Sequence, residues 1–135
     1  MIILTKDSER VIDVGSTDIL FSLYSTVMIK LKKSHSELSD AISFLKTGEC
    51  KCDIALVCAR QINLIRDKLS QINPNDAIYD MNDLSKEAPW KENMSKVVTS
   101  CGNMFTTSDG KDLLFEIVSI LTYSYYHNVD VSIES

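Results

Sequence analysis

The sequence predicts an α+β fold, a small and mainly antiparallel sheet with three or four helices packed against it. Three observations lead there. Short β-prone runs stand at both ends of the chain, "IILTK" and "RVIDV" at the start and "VDVSIES" at the close. Two long stretches between them, around residues 53–72 and 110–126, carry apolar residues at helical spacing. The chain has 135 residues with 44% apolar content, only two prolines and four glycines, so it is expected to form one domain over residues 1–135 with a core of its own.

The elements follow in order. The two opening runs flank "DSE" and read as a hairpin. Gly15 and Ser16 break the pattern, and Ser16 or Asp18 suits a helix cap. Residues 19–33 fit two periods at once: Leu20, Leu23, Tyr24, Val27 and Leu31 make a helical stripe, while Val27, Ile29 and Leu31 alternate with Met28, Lys30 and Lys32. The expectation is a short helix and then a strand from about Ser25. A helix from Ser36 stops near Gly48, and another runs from about Asp53 to Ile72, ended because Pro74 disfavours helical backbone at Asn73. "AIYDM" is a short strand candidate, "NDLSKEAPWKEN" a loop, and "KVVTSCGNMFTT" an extended segment with Gly102 at a bulge. The last helix is expected from Gly110 to about Tyr126. Asp109 serves as its cap, Asp112 sits in its first turn, and Asn128 is the left-handed residue that ends it. Gly110 is an odd choice in a first turn and suggests a close approach to the backbone. The closing strand alternates Val129, Val131 and Ile133 with Asp130, Ser132 and Glu134.

Charge and chemistry exclude several functions. The net charge is −5. Residues 1–75 hold nine acids and ten bases, residues 76–135 ten acids and four bases, so the C-terminal portion carries −6. An acidic surface repels nucleic-acid phosphates and attracts basic partners, so no nucleic-acid partner is expected. The N-terminal apolar run is too short for a secretory signal, and no segment approaches the length of a membrane span, so the protein is expected in the cytoplasm with Cys50, Cys52, Cys58 and Cys101 reduced. "TTSDGKDLL" fails as a phosphate loop, since seven residues separate Gly102 from Gly110 and Asp112 follows Lys111 where Ser or Thr is needed. It fails as a calcium loop, with Thr106 and Ser108 where acids belong. One residue between Cys50 and Cys52, with no second ligand pair, does not fit structural zinc, and no cofactor or metal is expected. Histidines are only His35 and His127, and nothing marks a nucleophile.

Three stretches together resemble a known family: "GSTDILFSLYST" at residues 15–26, "DMNDLSKEAPW" at 80–90 and "NMFTTSDGKDLL" at 103–114, with the closing "NVDVSIE". Their order and spacing are similar to the immunity protein 70 family of bacterial polymorphic-toxin and contact-dependent growth inhibition systems. The resemblance is best from Asp80 to Val131 and slight over residues 34–75. It implies an α+β fold, no enzyme activity, no cofactor, and a function of binding and neutralising the C-terminal toxin domain of a cognate effector; the lack of a spanning segment adds that no membrane partner is expected. Many such toxins are nucleases with basic clefts, which an acidic partner can fill as a phosphate mimic. The candidate toxin-binding residues are Asp80, Asp83, Glu87, Asp130 and Glu134, with Trp90 as an anchor or as a lid on the core. Residues alone leave two other classes open: a small cytoplasmic enzyme with a thiol site at Cys58 or Cys101, and an adaptor of an unrelated complex.

Overall fold

The computed structural model describes residues 1–135. A hairpin of β1 (Ile2–Thr5) and β2 (Val11–Asp13) opens the chain. Then come α1 (Thr17–Lys30), a 3-10 segment (Lys32–Leu38), α2 (Ser39–Thr47), the two-residue β3 (Glu49–Cys50) and α3 (Ala55–Leu69). Residues 70–112 are irregular apart from two short 3-10 turns. The last elements are α4 (Leu113–His127) and β4 (Val131–Glu134). The sheet order is β2-β1-β4-β3, and every pairing is antiparallel. The fold is therefore α+β, as the sequence predicts.

Alternation along the strands assigns the two faces of the sheet. Ile3 pairs with Ile12 and Ile133, and Thr5 with Val131. Ile3, Thr5, Ile12, Val14 and Val131 are buried on the face that meets the helices. There α4 packs on β1, β2 and β4, and α2 on β3. Ile2, Leu4, Val11, Asp13, Ser132 and Glu134 alternate with these and lie on the outer face. The core continues between α3 and α4, where Cys58, Ile62, Ile65 and Leu69 meet Leu113, Leu114, Ile117, Ile120 and Leu121.

Several expectations are corrected. Residues 25–31 are not a strand: α1 continues to Lys30. Its buried positions Leu20, Leu23, Val27 and Leu31 recur at three- and four-residue intervals, and Ile29, which a strand would place beside Val27, is exposed. Ser16 caps this helix by accepting the Asp18 N–H at 3.1 Å. The helix expected from Ser36 starts at Ser39, after the 3-10 segment, and ends as expected on Gly48, whose φ of +78° glycine adopts without cost. "AIYDM" and "KVVTSCGNMFTT" are not strands. In the latter the Asn103 side chain accepts the N–H groups of Thr99 and Ser100, curling the backbone into turns. Gly102 marks a close approach and not a bulge: a Cβ there would stand 2.9 Å from the Arg66 carbonyl oxygen at the end of α3.

The cap of α4 is also corrected. Asp112 is the N-cap, accepting the Phe115 N–H at 3.2 Å, and Asp109 is not. Gly110 has a φ of +82°, which no helical first turn permits, and open space where its Cβ would lie. Residues 107–111 instead close a tight turn in which the Thr107 N–H donates to the Lys111 carbonyl at 2.8 Å. Asp109 accepts the Thr107 hydroxyl inside that turn. At its far end α4 stops on Asn128 in the left-handed conformation, as expected.

Candidate functional site

The segment from Pro74 to Met94 is the largest irregular feature, and α1 holds it in place. Three hydroxyls on the buried side of α1 do this. Thr26 accepts the Ile78 N–H at 3.0 Å, Ser22 donates to the Ile78 carbonyl at 2.8 Å, and Ser25 accepts the Met81 N–H at 3.1 Å. Thr26 also donates to the Ser22 carbonyl one turn back, so both ends of its hydroxyl are used. The helix therefore supplies the polar partners that a neighbouring strand would otherwise give residues 78–81. The Tyr79 hydroxyl donates to Asp18 at 2.9 Å, and that bond to a carboxylate raises the Tyr79 pKa above the ordinary tyrosine range.

From Asn82 onward the loop organises itself. Asp80 accepts the Asn82 N–H at 2.8 Å, and Asp83 accepts both the N–H and the hydroxyl of Ser85, which hold its carboxyl below the usual range. Lys86 stands 3.6 Å from Asp80, and Lys91 3.1 Å from Glu87. Residues 76–92 hold five acids and two lysines, a net −3, and Asp76, Asp83 and Glu92 have no cation within ion-pair distance. Trp90 packs edge-on against Tyr79 with ring centroids 5.5 Å apart. It lids this loop and not the main core. Between the loop and α1 lies a groove of about 250 Å³ bordered by Tyr79, Trp90, Met94, Met104 and Glu87.

The six residues singled out from sequence thus divide. Asp80, Asp83, Glu87 and Trp90 share the loop on α1. Asp130 and Glu134 belong to β4 and its approach, on the sheet. Asp130 is committed within the fold: its carboxylate accepts the Cys52 N–H at 2.8 Å and stands 3.6 Å from Lys51, and both hold its pKa down. Glu134 is exposed and unpaired. The anchors Ser22, Ser25, Thr26 and Tyr79 were missed. The available signal was three hydroxyl residues inside an otherwise apolar helix, which must find partners once buried.

The thiols lie elsewhere. Cys50 and Cys58 are buried, their thiols donating to the carbonyls of Lys51 at 3.6 Å and Asp40 at 3.8 Å, and the neighbouring Cys50 together with burial pushes the Cys58 thiol up. Cys101 is buried against the Asn73 carbonyl and is pushed up to about 11 by desolvation. Burial thus disfavours the thiolate, the form a nucleophile needs, at both Cys58 and Cys101. No helix is long and apolar enough to cross a membrane.

The family model described as Immunity protein 70 matches residues 5–133, nearly the whole chain. No curated protein and no solved structure matches it.

Proposed function

The chain belongs to the immunity protein 70 family, and from that premise we propose that it acts in the cytoplasm, as one domain over residues 1–135, by binding and neutralising the C-terminal toxin domain of a polymorphic-toxin or contact-dependent inhibition effector. The family match over residues 5–133 carries this reading. It supports a role in toxin immunity, that of an inhibitor and not of a catalyst. The finer reading is that the toxin is a nuclease, and that the acidic loop on α1 enters its substrate cleft. A nuclease cleft is built to attract phosphates, and a loop carrying a net −3 over residues 76–92 offers carboxylates in their place. Asp83 and Glu87 stand exposed on that loop, Asp80 shapes it, and Trp90 supplies the large flat surface typical of an interface anchor.

A toxin gene adjoining its own is the first expected finding, and co-expression with that gene's C-terminal toxin domain then tests the reading. Cells carrying both are expected to grow, and the two chains are expected to co-purify as a stable complex. Killing that persists in the presence of the abundant, folded protein, with no complex recovered, contradicts it.

A further inference from the structure

The outer face of the sheet is covered by no helix, and it is not an ordinary solvated surface. Its middle is apolar: Ile2 and Leu4 stand side by side on β1, and Val11, opposite Leu4, is 56% exposed. Ile2 is flanked on both sides by acids, because the register sets it opposite Asp13 on β2 and Glu134 on β4. Neither acid has a cation within ion-pair distance. In the same face, opposite Leu4 and Glu49, lies Ser132, only 2% exposed, whose hydroxyl has no hydrogen-bond partner among the protein's own groups. A buried hydroxyl without a partner is costly, and here a strand position that faces outward keeps one.

We propose that this face is a second contact surface for the toxin domain, and that it receives an apolar patch edged with Lys or Arg whose polar group completes Ser132. The proposal rests on the immunity reading above. Glu49 is the cross-strand neighbour of Ser132 on β3; its side chain is exposed and held only by a 3.6 Å ion pair to Lys6, so a partner that reaches Ser132 displaces it cheaply. Glu134, free of partners, and Asp13, whose carboxylate accepts the Gly15 N–H at 2.9 Å but meets no cation, select a basic rim on the partner. A second copy of this chain is disfavoured as the occupant, since packing the face on itself brings two acidic patches together. The combination of an apolar centre, a charged edge and a polar group left unpaired until the partner arrives is how a specific interface rejects wrong partners.

The test uses the full chain and the purified toxin domain encoded beside it. Val11→Arg with Glu134→Arg is expected to weaken binding about tenfold or more, as loss of an interface centre does. Both sites are exposed, so the melting temperature of the free protein is expected to hold. Ser132→Ala is expected to weaken binding about fivefold while leaving the free protein as stable or more stable, because it removes an unsatisfied group; a purely structural serine would instead lose stability and keep affinity. Wild-type binding with all variants unchanged overturns the proposal and leaves the immunity assignment standing. No binding by the wild type overturns both. A concentration-dependent dimer of the free protein that Val11→Arg dissociates shows that a second copy occupies the face, and overturns the proposal too.

Discussion

Asp112 does two things at the start of α4: it accepts the Phe115 N–H, and it takes a 2.8 Å hydrogen bond from the Arg66 guanidinium on α3. One carboxylate thereby caps a helix and ties together the two helices that share most of the core. Asp112→Ala is expected to cost about 1–2 kcal/mol in denaturant unfolding, the range of a lost cap with a charged partner left behind. Asp109→Ala is expected to cost less, because Asp109 closes only an exposed turn. The sequence shows two aspartates three residues apart, Asp109 and Asp112, and both suit a cap. The choice turns on Gly110, whose left-handed backbone is invisible in a residue pattern. At the sheet, Asp130→Ala is expected to cost about 1 kcal/mol, since it orphans the Cys52 N–H. The Asp130 pKa is lowered on folding, so its contribution is present above the unfolded value near 4 and is lost as pH falls through the lower folded value. The stability gap between wild type and Asp130→Ala should therefore be constant above about pH 5 and close below about pH 4.

At the scale of elements, the loop over residues 74–94 depends on α1. Thr26→Val keeps the shape of the side chain but leaves the Ile78 N–H without an acceptor. It is expected to destabilise the protein by about 1–3 kcal/mol and to speed hydrogen exchange at Ile78 and Met81. Exchange rates there that match the wild type would show that the hydroxyls do not hold the loop. This element also explains why sequence reading erred at residues 25–31. Alternation of Val27, Ile29 and Leu31 is a strand signal only if one face is buried, and the buried hydroxyls Ser22, Ser25 and Thr26 look polar to any pattern until the loop they serve is seen. The hairpin, α3 and the end of α4 were legible because their signals are local: a polar turn between β-prone runs, a broad apolar face, and Asn128 at a left-handed stop. The turns of residues 96–107 were not, since Asn103 makes them through its side chain.

Over the whole molecule, the charge split in the sequence survives folding only in part. Arg66 and Lys51 reach across to Asp112 and Asp130, so two of the ten C-terminal acids are partnered by the N-terminal half. Of the other eight, Asp76, Asp83 and Glu92 on the loop, Glu116 on α4 and Glu134 on the outer sheet face have no cation within ion-pair distance. The family was legible from three short stretches, whereas the binding face was not, because candidates adjacent in charge proved to lie on different elements. The most direct test of the central claim is the association rate with the toxin domain as ionic strength rises, measured for wild type and for Asp83→Lys/Glu87→Lys. Screening shortens electrostatic reach to about 8 Å at physiological salt, so a steered complex is expected to form about tenfold more slowly from low to high salt. The double reversal is expected to start slow, vary little with salt and protect cells poorly. A wild-type rate indifferent to salt, together with full protection by the double variant, would contradict the account.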